Sequence, residues 1–363
     1  MPWDNRSAPN ATVEITHACN VACRACYKQR RNEFKTLEQI ARDIDDALRL
    51  RPIHTLTISG GEPTLHPELC QAVRMANDRD VHVLLLTNGV LVDRDMLKAL
   101  RDSGLDSILF HVDVGQRRAD LPTEPKFDDV RARLDVLTSM AVDEGIDASI
   151  SAVLYDNGED MLRAYTEYLF DARHITAMFL SRAVPFPSLH EGCGGSGPDP
   201  QIRRVTEFYD REYGIEPFAF IPHNGGNDHM WMSYFVPVAY NGAGCSLFPI
   251  RANWLDSWTM RIPKVLTGRY VHKTNQNPRL TLARMAANGF STFRLRALMQ
   301  FIRKLRDPGA ALRHKMIMYH DGPYILSDGK KTPCEYCPTA IVRDGRLLAC
   351  CEADYGNKDG SAP

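Results

Sequence analysis

The chain has 363 residues, 44% of them hydrophobic and 25% charged, with 44 Lys and Arg against 45 Asp and Glu. That is an ordinary globular mixture, long enough for two domains or one large domain with an extension. No stretch approaches the length of a transmembrane helix, and no early apolar run has signal-peptide form, so composition argues against a spanning protein and a secreted disulfide scaffold. Ten cysteines without a secretion signal point instead to metal binding in a reducing, cytoplasmic setting.

The first element is a β-branched strand at 12–16. Directly after it stands Cys19-Asn-Val-Ala-Cys23-Arg-Ala-Cys26, a C-x3-C-x2-C group. Three thiolates on one tight loop can hold three irons of a cubane iron–sulfur cluster and leave the fourth iron open to a small molecule. Structural zinc sites recruit four ligands in paired C-x2-C units, and this local group stops at three. A helical pattern follows at 36–50, with Leu37, Ile40, Ile44 and Leu48 on one face. A strand at 55–59 then runs into Ser59-Gly60-Gly61-Glu62-Pro63, whose glycines admit close backbone approach and whose carboxylate can accept from an ammonium group. Further strands are predicted at 81–86, 106–112, 147–153 and 177–182, with helices at 67–79, 93–102, 127–144 and 159–172. The third strand ends on Thr87-Asn88-Gly89. Six βα-type units in a row imply a parallel sheet with right-handed connections.

These three motifs, in order and at strand ends, resemble the radical S-adenosylmethionine (SAM) superfamily. The resemblance implies a partial (β/α)6 barrel, open on one side, over residues 1–183. It also implies that Cys19, Cys23 and Cys26 hold a four-iron, four-sulfur cluster, whose open iron binds SAM. One electron from the cluster then releases a 5′-deoxyadenosyl radical, which takes a hydrogen atom from substrate. Gly60, Gly61 and Glu62 would cradle the methionine end of SAM, with Thr87 and Asn88 beside them. Sites in such barrels lie at the C-terminal strand ends, which adds Asp113, Ser151 and Arg182 as cofactor-binding candidates. His111 and Asp113 read equally well as structural strand-end residues, and Arg182 could meet the SAM carboxylate or an acid of the barrel. The family often has an aromatic residue just before the third cysteine; here that position is Ala25, and Tyr27 is the candidate for the adenine contact.

Beyond residue 183 the pattern breaks into a Pro- and Gly-rich stretch containing Cys193. A helix is predicted at 200–213 and an apolar strand or pocket wall at 230–236. Residues 184–333 read as a substrate-binding extension. Cys70 reads as a small buried apolar residue in a helix. Between 259 and 319 there are thirteen Lys and Arg against one acid, Asp307. Such a face suits an anionic partner, or docks on the acidic body of its own chain. Within it, 294–306 has helical period, with Leu295, Leu298, Ile302 and Leu305 on one side and Arg296, Arg303 and Arg306 elsewhere. That is a form which rests on anionic membranes or clamps acidic ligands. No nucleic-acid module is recognisable.

The end of the chain, 334–363, holds Cys334-Glu-Tyr-Cys337, then 339–342, a turn at 343–346, and 347–351 ending in Cys350-Cys351. A hairpin here brings Cys334, Cys337 and one of Cys350 or Cys351 together; adjacent strand residues face opposite ways. This cysteine-rich hairpin, on a C-terminal α+β extension, resembles the auxiliary-cluster region of the molybdenum-cofactor cyclase, and more loosely that of the SPASM and Twitch maturases. It implies a second 4Fe-4S cluster, with zinc as the alternative. Cys193, Cys245 (in an apparently flexible Gly-rich loop) or Cys351 would supply the fourth ligand, or one iron stays open. The expected function is radical chemistry on an anionic small-molecule or lipid-like substrate, with a flavodoxin or ferredoxin as electron donor and peripheral contact at the inner membrane surface. The alternatives are a ribosomal-peptide maturase and a non-enzymatic iron–sulfur or zinc regulator. A barrel that starts near residue 12 leaves no room for an N-terminal peptide-binding module, and an intact Gly60-Gly61-Glu62 argues against the regulator.

Overall fold

The computed structural model describes residues 3–4, 6–26, 28, 30–155, 158–183, 201–222, 229–242, 244–270, 277–321, 324–325, 331–332 and 336–350. Six strands, β1 (Asn10–Glu14), β2 (Thr55–Ser59), β3 (His82–Thr87), β4 (Ser107–His111), β5 (Asp147–Leu154) and β6 (Ile175–Arg182), pair in parallel in chain order. The helices between them are α1 (Leu37–Leu50), α2 (Leu69–Asn77), α3 (Arg94–Asp102), α4 (Phe127–Asp143) and α5 (Gly158–Asp171). Their starts are written in the sequence. Thr36 and Gln39 form a reciprocal capping box on α1, and the Asp93 carboxylate accepts from the Met96 N–H at the head of α3. Ile40, Ile44 and Ala47 then bury the inner face of α1.

The sheet does not stop at six strands. After α6 (Gln201–Tyr213) come β7 (Ala219–Pro222), β8 (His229–Asn241) and β9 (Gly244–Leu247), then α7 (Trp254–Thr267), α8 (Pro278–Ser291), α9 (Leu295–Lys304) and β10 (Ala311–His320). β10 joins β6 in parallel, and β8 joins β10 antiparallel. At the opposite edge the hairpin of β11 (Ile341–Arg343) and β12 (Arg346–Leu348) lies beside β1. The result is one twelve-stranded, largely parallel, open sheet in the order β9-β8-β10-β6-β5-β4-β3-β2-β1-β11-β12, with β7 on β8. The expected partial barrel is therefore present and unclosed. The chain has extended it at both edges, which periodicity within single segments does not reveal.

Strand alternation divides the sheet into two faces. Ala11, Val13, Leu56, Ile58, Val83, Leu85, Ile150, Ala152, Met178 and Leu180 form one apolar core with the helices. Their neighbours, including Thr12, Thr57, Leu84, Leu86, Leu109, Ser151, Phe179 and Met318, all line one cavity of about 390 Å³. A sheet whose inner face surrounds a single space is strongly curved.

Candidate active site

The cysteine loop sits over the C-terminal ends of the strands and is fastened there by backbone. Gly61 N–H donates to Thr16 O and Glu62 N–H to Ala18 O, each at 2.8 Å. A Cβ on Gly60 would meet Thr16 O at 2.4 Å, and one on Gly61 would meet Ala18 O at 2.3 Å. The close approach that requires these glycines is thus to the base of the cysteine loop. The far side of the loop is held by a two-residue pairing of Ala22–Cys23 with Gln116–Arg117 and by the Arg24 N–H donating to Gly115 O.

Cys19, Cys23 and Cys26 all line the cavity, and none is in a disulfide. The Gln116 amide donates to Cys23 Sγ at 3.6 Å. Burial pushes the Cys19 and Cys23 thiols up, so they stay protonated until a cation draws off the proton. Among the described residues no group of three or more Cys, His, Asp or Glu closes on one metal-ion position. A cubane seats its thiolates on separate irons. It therefore suits three thiols placed around a space, which is how this loop presents them.

The Glu62 carboxylate is buried and well ordered. Its Oε1 accepts from Thr64 N–H (3.0 Å), the Thr64 hydroxyl (2.6 Å) and the Thr87 hydroxyl (2.6 Å), and its Oε2 from Asn88 N–H (2.7 Å). Burial nonetheless holds its pKa above the usual carboxylate value. Asn88 in turn donates to Asn20 Oδ1 at 2.8 Å, linking this turn to the cysteine loop. Gly60, Gly61, Glu62, Thr87 and Asn88 all border the cavity, as do Ser151 and Arg182. Arg182 faces Asp321, at 3.6 Å, so an acid of the barrel is its neighbour. Asp113 is placed behind the wall. It is fully buried and accepts from Gly115 N–H (2.8 Å) and Val153 N–H (3.1 Å), while His111 reaches the cavity in its stead.

The C-terminal cysteines divide. Cys337 and Cys350 lie on the same cavity wall as the first three. Tyr27, Cys193, Cys334 and Cys351 fall outside the described residues. Cys245 does not fit the expectation that it joins them. It is an exposed residue of β9, paired with Tyr240, and Tyr240 lies opposite Ala311 at the start of β10, whereas His320 at the other end of β10 borders the cavity. Cys245 is thus a strand residue at the far end of the sheet from the cysteine loop. Arg296 and Arg303 are both exposed on α9, and neither lines the cavity.

Several supporting residues escaped the sequence reading. Glu14, on β1, is buried between Lys28 and Arg343, with Arg343 Nη2 at 2.8 Å. Arg51, also buried, donates to the carbonyls of Asn10 (3.1 Å) and Cys337 (2.9 Å). An acid inside an apolar strand and an arginine next to Pro52 are weak signals. Gln116 had none.

Residues 13–168 match the radical SAM superfamily. That segment carries a radical SAM domain. Members of the superfamily are enzymes that use a four-iron, four-sulfur cluster and SAM together with a reducing partner. Over 106 residues the chain is 33% identical to the tungsten-containing aldehyde ferredoxin oxidoreductase cofactor-modifying protein of Pyrococcus furiosus, covering 28% of this chain and 30% of that protein. Over 143 residues it is 31% identical to the GTP 3′,8-cyclase of Chlorobaculum tepidum, covering 36% and 42%. The chain thus spans less than half the length of these curated relatives. The crystal structure of Streptococcus suis SuiB aligns with a TM-score of 0.46 and 14% identity, over 58% of this chain and 49% of that one. Among the described residues no helix is long and apolar enough to cross a membrane.

Proposed function

We propose that this chain is a radical SAM enzyme acting on a small anionic substrate held in the cavity beneath the cysteine loop. Cys19, Cys23 and Cys26 hold the catalytic cluster, and Gly60, Gly61, Glu62, Thr87 and Asn88 shape the adjoining turn that receives the methionine end of SAM. When bound, the cluster would supply the electron for reductive cleavage of SAM and so the means of hydrogen-atom abstraction from substrate. The chain's own part is to orient, charge-match and exclude water. Glu62 fixes the turn through its four donors and keeps one lone-pair direction of Oε2 for an ammonium donor. Leu84, Leu86, Leu109 and Phe179 dry the wall around the reacting groups. Cys337 and Cys350 would hold an auxiliary 4Fe-4S cluster, with Cys334, three positions earlier in the sequence, as a further ligand. Residues 184–333 supply the rest of the substrate enclosure, with Trp231, Met318 and His320 on its wall.

The observation that carries this reading is the meeting of all five described candidate cysteine ligands, Cys245 apart, with the Gly60–Glu62 turn on one cavity. Among the described residues Arg30 borders the cavity, beside Lys28 and Arg182, which meet Glu14 and Asp321; these cationic groups suit an anionic substrate. The cavity's volume, about 390 Å³, is that of a small-molecule site. The cyclase relative is named for GTP, an anionic small molecule.

The test is anaerobic reconstitution of the wild type and of the variant with Cys19, Cys23 and Cys26 all changed to Ala. The wild type should carry roughly eight irons per chain, the variant roughly four, by cubane stoichiometry. Only the wild type should release 5′-deoxyadenosine when reduced. A variant that still cleaves SAM refutes the catalytic assignment, and stoichiometric zinc without residual iron refutes the auxiliary one.

A further inference from the structure

Fifteen large apolar side chains are exposed among the described residues, and eleven of them fall between 254 and 299, in α7, α8, α9 and their connections. Scattered single exposures are normal, but a concentration of this kind marks a contact surface. The pattern on α7 is regular. Trp254, Trp258, Ile262 and Val265 recur at spacings of four, four and three, so one helical stripe runs down three turns. That stripe faces water: Trp254 is 69% exposed and Val265 84%. α7 packs on α8 and α8 on α9, and the turn between the last two carries Phe293, which is 95% exposed. Phe293 sits at φ 56°, in the left-handed region that a bulky residue rarely adopts, and no core contact accounts for it there.

Charge is interleaved with this apolar surface. Arg261, Arg279, Arg296, Arg303 and Arg306 are exposed on the same helices or just beyond them, and none has an ion-pair partner among the described residues. Asp307 is the single acid between 259 and 319. Among the described residues the acidic body of the chain does not pair with these five arginines, whereas Arg269 meets Asp80.

We infer that the exposed face of α7–α9 docks on an anionic lipid bilayer. Aromatic and branched apolar side chains flanked by arginines match the boundary between acyl chains and negative headgroups. A second copy of this chain would bring the same positive charge to the contact and be repelled. The inference is independent of the reaction the cavity performs, since docking needs neither SAM nor substrate.

The test uses reconstituted protein of verified iron content and sucrose-loaded vesicles of phosphatidylcholine alone, or with roughly one third phosphatidylglycerol. Wild type should sediment with the anionic vesicles only, less so as salt rises, and the emission of Trp254 and Trp258 should shift to the blue. Trp254→Ser with Phe293→Ser, and separately Arg296→Glu with Arg303→Glu, should each weaken partitioning at least about tenfold. Both variants should keep their melting temperature and their vesicle-free cleavage of SAM. The inference is overturned if wild type stays in the supernatant with anionic vesicles at low salt, or if both variants sediment as wild type does. Self-association through this face, seen by light scattering in place of vesicle binding, overturns it equally.

Discussion

The guanidinium of Arg51, at the end of α1, donates to the backbone carbonyl of Cys337 at 2.9 Å, across 286 positions of sequence. The same guanidinium nitrogen reaches Asn10 O on the first strand. One buried side chain therefore fixes Cys337, the proposed auxiliary-site cysteine, to the frame of the barrel. Arg51→Met should lower stability by about 2 kcal/mol, because two buried carbonyls lose a charged donor. It should also lower iron content beyond the first four irons while leaving SAM cleavage measurable. Iron analysis beside a 5′-deoxyadenosine assay checks both; full retention of iron would show that Arg51 serves the fold alone.

Gly61→Ala adds a methyl group directly against Ala18 O. Neither partner is a flexible side chain, so the cysteine loop itself must move. The expected result is a loss of about 1–3 kcal/mol in stability together with slower or incomplete cluster loading at Cys19, Cys23 and Cys26. The absorbance of the reconstituted cluster reads the second effect directly.

Glu14 tests the seam between β1 and β11. Burial pushes its carboxyl up, but Lys28 and Arg343 outweigh burial and leave its pKa at about 2. Its pairing therefore stabilises the chain above the ordinary value of 4.5 and is lost as pH falls from there towards 2. Glu14→Gln at neutral pH leaves two cations facing a neutral amide and should cost about 3 kcal/mol. Chemical denaturation at pH 7 checks the cost, and a change below 1 kcal/mol would contradict the assigned burial of the triad.

Lys315 predicts a pH dependence at the alkaline end. Its ammonium is buried on β10 and donates to the carbonyls of Ala172 and Ile175; burial, then Arg313, lowers its pKa to about 7. Between about 7 and 10.5 the unfolded chain binds the extra proton, so stability contributed here rises with pH. Wild type should gain a few degrees of melting temperature between pH 7 and pH 9.5 relative to Lys315→Met. Parallel curves for the two proteins would remove the assignment.

Sequence periodicity located the first half of the fold well. Leu37, Ile40 and Ile44 marked one helix by their spacing and Asp93 stood at the head of another, and each parallel strand appeared as a short apolar run, because local hydrogen bonding and burial are decided within a few residues of one another. The later half was less legible. β10 carries Arg313, His314 and Lys315, which read as a solvated basic segment, yet Lys315 is fully buried. Its position became intelligible only through carbonyls more than a hundred residues away. Cys245 was misplaced for a similar reason: a Gly-rich sequence looks flexible until β8 offers it a pairing partner. The motif residues fared best at the strand ends, where chemistry and location coincide. Asp113 fared less well, since a strand-end acid can face the cavity or brace it, and that choice depends on Val153 from the next strand.

The arc from β1 to β6 has two open edges, and both are sealed by strands encoded after it: β10 beside β6 and β11 beside β1. A fragment ending near residue 183 would thus carry every cysteine of the first cluster yet expose two rows of unpaired amides and carbonyls, the condition under which sheets recruit one another. The later strands act as bookends. Excising the motif-bearing half to obtain a minimal cluster carrier should yield aggregates, whereas co-expressing the remainder as a separate chain offers those edges their native cover.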